Sequence, residues 1–215
     1  SPNNQYFKVY EDKFVLGKSR KEQENFDVLY FCNREVENAI IPNYIEIIES
    51  YAFNKCKNLK QIEFSNDSKL RIIKKYAFSH ASCNSIKIPE SVTEIEKKAF
   101  SYCRINEIEF SKDSKISIIN DELFISSSIS SIKFSSNIIK IGKRAFNDCF
   151  CLQKIEFPHD SKLQIIDDEA FYESCIESIT FPSELIQIGK SAFRLCRYLN
   201  HIEIPSDSKL QIIGV

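Results

Sequence analysis

A chain of 215 residues, 43% hydrophobic and 27% charged, holds enough apolar material for a continuous core, which excludes a disordered segment. Its 29 basic and 30 acidic side chains leave a formal net charge of −1, so no global field draws in nucleic acid or an anionic membrane. No apolar run approaches the roughly 18 residues that span a bilayer, and four glycines with six prolines leave little for flexible linkers, which predicts one stiff body without direct membrane insertion.

Methionine is absent throughout, so a processed chain or a fragment is expected. Residues 1–35 stand apart from the rest of the chain. Tyr6-Phe7-Lys8-Val9-Tyr10, Lys13-Phe14-Val15-Leu16 and Phe26-Asp27-Val28-Leu29-Tyr30-Phe31 alternate well enough to predict two or three strands around a polar segment from Gly17 to Asn25. They form an N-terminal hairpin or cap element over the first repeat.

From residue 36 to 215 the chain repeats itself. Ala-Phe recurs at Ala52-Phe53, Ala77-Phe78, Ala99-Phe100, Ala145-Phe146, Ala170-Phe171 and Ala192-Phe193, and Leu123-Phe124 fills the one gap; the steps between the Phe residues are 25, 22, 24, 22, 25 and 22. That period lies within the range of about 20 to 29 residues of leucine-rich repeats. After each Phe comes an apolar-x-x-apolar-x-apolar segment, as in Leu59 to Phe64, Cys83 to Ile88, Ile105 to Phe110, Ile129 to Phe134, Leu152 to Phe157, Ile176 to Phe181 and Leu199 to Ile204, with a degenerate copy from Val36 to Ile41. Its last three residues alternate in polarity and favour a short strand buried on one face. Connectors alternate too: long repeats use Ser-Asn-Asp-Ser-Lys-Leu-like turns (65–70, 111–116, 158–163, 205–210), and short ones use Pro42, Pro89, Ser135 and Pro182. No such unit buries its own apolar face, so stability has to come from stacking. The last unit, from Lys209 to Val215, starts a repeat whose Ala-Phe does not arrive, which leads us to expect a longer parent protein or a partner over that end.

The pattern Ile-x-x-x-Ala-Phe-x-x-Cys-x-x-Leu-x-x-Ile-x-Phe-Pro resembles the BspA-like subclass of leucine-rich repeats, found in surface proteins of mucosal bacteria and expanded in protists such as trichomonads. The resemblance implies a leucine-rich repeat solenoid, with short parallel strands stacked into one curved sheet and an irregular or short helical convex side. The N-terminal hairpin resembles the insert that interrupts such arrays. The family resemblance also implies a non-enzymatic scaffold at the cell surface or outside the cell, binding host or matrix protein or another copy of itself. The chain departs from commoner leucine-rich repeats in lacking the Asn ladder that follows the strand.

Eight cysteines raise the question of metal or disulfides. Cys56, Cys103, Cys149 and Cys196 each stand three residues after a repeat Phe, where other repeats place Ala81, Ser127 and Ser174. A small buried slot accounts for all of them. Cysteines in alternate rungs lie roughly 10 Å apart at about 4.8 Å per rung, beyond the limit of about 7 Å for a disulfide. Cys149 is expected inside and Cys151 outside; Cys83 falls on an apolar position, and Cys32 and Cys175 are left open. His80, His159 and His201 occupy three different repeat positions without ligand-spaced neighbours and are expected to be exposed bystanders. No G-x-S-x-G and no glycine-rich phosphate loop is present. Asn66-Asp67-Ser68 matches a glycosylation sequon within a connector that is rich in such residues by composition. No catalytic, metal or cofactor site is expected, and unpaired thiols favour an intracellular assembly scaffold as the alternative to a surface protein.

The polar positions of the strands are the candidate binding face: Asn106, Glu107, Glu109, Ser130, Ser131, Lys133, Gln153, Lys154 and Glu156. The column Glu63, Lys87, Glu109, Lys133, Glu156, Thr180, Glu203 also suits a cross-strand charge ladder that holds register. None of these columns carries the Tyr, Trp or Arg anchors of tight interfaces. Phe53, Phe100, Phe146 and Phe193 are expected to be almost fully buried.

Overall fold

The computed structural model describes residues 4–214; the outermost residues of the N-terminal element (1–3) and Val215 of the last repeat lie outside the described residues. The chain winds into a three-sided solenoid. Its first side is a ribbon of strands Asn38–Ile41, Gln61–Phe64, Ser82–Ile88, Arg104–Phe110, Ser131–Lys133, Lys154–Glu156, Ser178–Thr180 and His201–Glu203. Wherever these pair, they pair in parallel with identical repeat positions opposed, as in Ile86, Ile108, Ile132 and Ile155. The alternation seen in the sequence fixes this register, since a slip of one residue would turn the isoleucines into solvent.

A second side, not anticipated from the sequence, carries strands of only two residues: Ile47–Ile48, Ile72–Ile73, Glu94–Ile95, Ile118–Ile119, Lys140–Ile141, Ile165–Ile166, Gln187–Ile188 and Ile212–Ile213. Each pairs in parallel with the next rung except between Glu94–Ile95 and Ile118–Ile119. There the Asn120 side-chain amide donates to the Ile95 carbonyl at 2.7 Å and carries the connection across the gap.

The third side holds the Ala-Phe segments. Of the two shapes the resemblance allowed for it, the irregular one forms: no helix occurs among the described residues. Each segment is a tight turn with left-handed backbone two residues before and two residues after the repeat Phe, as at Tyr51 (φ 64°) and Lys55 (φ 61°), through to Ser191 (φ 55°) and Leu195 (φ 61°). A non-glycine residue in that conformation costs roughly 1–2 kcal/mol. Hydrogen bonds to the next rung offset the cost: Lys55 N–H donates to Ser79 at 2.9 Å, Tyr102 to Ile125 at 2.9 Å and Asp148 to Tyr172 at 2.9 Å.

Inside the three sides runs a column of stacked rings. Phe53, Phe78, Phe100, Phe124, Phe146, Phe171 and Phe193 follow one another with centroid separations of 4.8, 4.9, 5.5, 5.0, 5.1 and 5.2 Å. All are fully buried except Phe193. The expectation of complete burial at Phe193 is therefore corrected: that ring lies in the last full turn, with no further ring stacked above it. At the other end Phe14 meets Phe53 edge-on at 6.2 Å. It belongs to an antiparallel set, Phe7–Tyr10, Phe14–Gly17 and Val28–Cys32, of which the last pairs in parallel with Ile47–Ile48. The N-terminal segment thus extends the second side of the solenoid.

Each aromatic contact adds about 0.5–1.5 kcal/mol beyond area burial, and Phe146 touches Phe124, Phe171 and, edge-on, Phe134. Phe146→Ala is expected to lower stability by about 3–5 kcal/mol, and Phe193→Ala by clearly less, in chemical denaturation; equal losses at the two sites would contradict the stack. In the N-terminal segment Asp27 accepts from the Ser19 backbone N–H at 2.8 Å and hydroxyl at 2.6 Å. Burial alone would raise its pKa, but the Ser19 hydrogen bonds outweigh burial and hold it below the ordinary value. Its stabilisation is therefore present above the unfolded-state pKa of about 3.9 and lost as pH falls through the lower folded value. Protection of the Ser19 amide, measured against its intrinsic exchange rate, should fall below about pH 4, and Asp27→Asn should remove that pH-dependent loss of protection.

Candidate protein-binding surface

The side-chain alternation of the first ribbon gathers the residues singled out in the sequence on one face. Glu107, Ser131 and Lys154 form one row across three neighbouring strands, and Glu109, Lys133 and Glu156 form the next. Asn106, Ser130 and Gln153 complete the patch at the strand entrances, linked by Ser130 N–H to Asn106 O at 2.8 Å and Gln153 N–H to Ser130 O at 3.0 Å. A shallow depression lies over the centre, lined by Glu107, Glu109, Ser131, Lys133, Lys154 and Glu156.

The charge ladder that this column suggested is only partly formed. Lys87 and Glu109 approach to 3.9 Å across strands, and the Thr180 hydroxyl donates to Glu203 at 2.9 Å. Lys154 instead pairs along its own strand with Glu156 at 2.5 Å. That hydrogen bond pulls the Glu156 carboxyl below its usual range and pushes the Lys154 ammonium up. Lys133 is left without a carboxylate within ion-pairing distance among the described residues. An unpaired, exposed cation between two acidic neighbours is a group a ligand can engage with little internal rearrangement.

The cysteines occupy the small slot. Cys56, Cys103 and Cys149 are buried, Cys196 is half-buried in the last full turn, and Cys151 is exposed. The slot also has a hydrogen-bonding role that the sequence did not reveal: Cys149 Sγ donates to Phe124 O at 3.1 Å and Cys196 Sγ to Phe171 O at 3.0 Å, one rung below in each case. Burial pushes the Cys149 thiol up to about 12, so it stays protonated and inert. Cys32, left open by the sequence, is buried one rung below Cys56. A hydrogen bond from Cys32 and the Arg34 guanidinium, with Nη1 at 3.3 Å from Cys56 Sγ, pulls the Cys56 thiol down, while Cys32 is pushed up. His80, His159 and His201 are exposed, and His80 stacks on Tyr102 at 5.0 Å. No group of three or more His, Cys, Asp or Glu with metal-binding geometry occurs among the described residues, and no helix among them is long and apolar enough to cross a membrane.

Sequence reasoning missed the exposed aromatics of the turn side. Tyr51 and Tyr76 stack at 5.1 Å, and Tyr51 and Tyr102 are 53% and 48% exposed, a density of anchor-type residues that the strand face lacks. The signal was present in the columns two before and two after the repeat Phe, flanking positions that the core pattern passes over.

The model of the BspA-type leucine-rich repeat region matches residues 25–149 and 117–215 in six copies. Among solved structures, the chain is similar to a leucine-rich repeat protein from Eubacterium ventriosum (TM-score 0.72, 21% identity, 91% of this chain and 51% of that one). It is also similar to the pneumococcal vaccine antigen PcpA (TM-score 0.66, 21% identity, 94% and 51%) and to a leucine-rich repeat protein from Bacteroides ovatus (TM-score 0.58, 17% identity, 97% and 76%). The chain spans about half the length of the first two. No curated protein matches it. At these identities the likeness concerns the fold.

Thiol accessibility provides a direct check on the slot. A disulfide-exchange reagent should modify Cys151 rapidly in the folded protein, and Cys151→Ser should remove the fast phase. Cys56, Cys103, Cys149 and Cys196 should all titrate as free thiols in denaturant without reductant; a linked pair among them would contradict the stacking order.

Proposed function

The chain belongs to the BspA-type leucine-rich repeat family, and from that premise we propose that it is a non-enzymatic recognition module of a cell surface, binding a host or extracellular-matrix protein through the first ribbon. A leucine-rich repeat scaffold is typical of protein–protein interaction modules. The surface location rests on the family resemblance, and the name of one solved relative, a vaccine antigen, is consistent with it. The observation that carries the choice of face is the contiguous row of exposed Glu109, exposed Lys133 and half-buried Glu156 across aligned strands, with Lys133 lacking an ion-pair partner among the described residues. Such a surface, polar, of mixed charge and without aromatic anchors, favours weak, salt-sensitive contacts repeated along the solenoid. Eight rungs at about 4.8 Å give roughly 35–40 Å, long enough for a standard protein interface.

An intracellular assembly scaffold is the second reading, favoured by eight cysteines that are all free, an unusual load for an oxidising compartment. The two readings share the face and differ in the partner.

Biosensor binding of matrix proteins and host cells is expected to fall at least about tenfold when Lys133→Glu, Lys154→Glu and Glu156→Lys are combined, and to weaken with added salt in the parent. Unchanged binding by the folded variant would move the site off the first ribbon. Binding confined to cytosolic partners would favour the second reading.

A further inference from the structure

On the turn side the charges segregate along the solenoid axis, a pattern independent of the ribbon face. Several charges there are satisfied within the molecule: Lys74 with Glu49, Lys98 with Glu122, Arg144 with Glu169 and, from the second side, Lys140 with Asp167. Around the first three Ala-Phe turns this leaves Lys55, Lys57, Lys75, Lys97 and Arg104 against the single acid Glu96. Around the next three it leaves Asp121, Asp148, Asp168 and Glu173 without an ion pair against the single base Lys143, although Asp121 and Asp168 each accept one backbone N–H of the next rung, from Lys143 at 2.9 Å and Lys190 at 2.8 Å. One strip about 30 Å long, at about 5 Å per rung, is thus basic over one half and acidic over the other, although the whole chain carries a net charge of only −1.

We propose that the turn side is a self-docking surface: two copies of this chain pack their turn sides antiparallel about a two-fold axis between the third and fourth turns, basic half against acidic half. A two-fold contact uses the same patch twice, so each dimer makes the complementary pairing two times. Lys55 in the first turn then faces the sixth turn of the second copy, where Glu173 holds the same repeat position. The second turn faces the fifth, which sets His80 opposite Asp148 and Lys75 opposite Lys143, a like-charge meeting that the other pairs must outweigh. Next to the two-fold axis the third turn faces the fourth, and Lys97 meets Asp121 at the same repeat position, so complementary charge is present at the centre as well as at the ends. Near-zero net charge removes the overall repulsion that keeps like molecules apart. An external polyanion would be drawn to the basic half only and would leave the matching acidic half unexplained. The basic seventh turn, with Lys190, Arg194 and Arg197, lies outside the six-turn pairing.

Paired charge-reversal variants test the arrangement by light scattering and sedimentation. Lys55→Glu with Lys97→Asp, and separately Asp121→Lys with Glu173→Lys, each place at one turn a residue type that another turn already carries at the same position, so folding should be retained; circular dichroism checks this. The parent is expected to be a dimer at concentrations on the order of 100 µM in low salt and to dissociate at high salt. Each variant alone should lose dimer affinity at least about tenfold, and an equimolar mixture of the two should restore it. A parent that stays monomeric, a dimer indifferent to both variants, or a mixture that fails to associate would overturn the proposal. Growth beyond two copies would overturn the two-fold geometry. Retention of a monomeric parent on a sulfated polysaccharide, lost in the Lys55/Lys97 variant, would replace self-docking with an external polyanion.

Discussion

Two independent forces impose nearly the same distance on this chain. Parallel backbones hydrogen-bond at about 4.7–4.9 Å, and the repeat phenylalanines stack at 4.8 to 5.5 Å. Because the two spacings agree, a rung can close its hydrogen bonds on three sides without pulling its ring out of contact. The remaining features depend on this agreement. Small residues must fill the slot beside the ring, polar side chains must point outward, and the turn that carries the ring must double back within a few residues, at the cost of left-handed backbone.

Much of this was legible in the sequence because each requirement recurs at a fixed register. Ala-Phe locates the ring, the Cys/Ala/Ser position locates the slot, and the apolar-x-apolar triplet locates the first ribbon. The second ribbon was not legible, since two-residue strands such as Ile72–Ile73 are too short for alternation to register. Phe193 was misjudged because its exposure depends on its place at the end of the stack and not on the local pattern it shares with Phe146.

The surface was read less fully than the core. Register alone brought Glu109, Lys133 and Glu156 together, but which of them pair depends on side-chain conformers, and Lys154 competes with Lys133 for Glu156. The turn-side segregation of charge was hidden for a different reason. Its residues lie about 22 to 25 positions apart, so a contiguous reading shows scattered lysines and aspartates, and only the stacking order gathers them into halves.

The left-handed turn positions have a further consequence. Tyr51, Tyr76, Lys98, Glu122, Arg144, Glu169 and Ser191 adopt nearly the same backbone angles with unrelated side chains, since the conformation is held by main-chain bonds between rungs and the side chain points away from the core. The scaffold therefore behaves as a printing frame, in which the lettering on the outside is set independently of the frame. Two solenoids of this kind can share a fold at about 21% identity and present entirely different lettering, so likeness of shape carries no inheritance of partner.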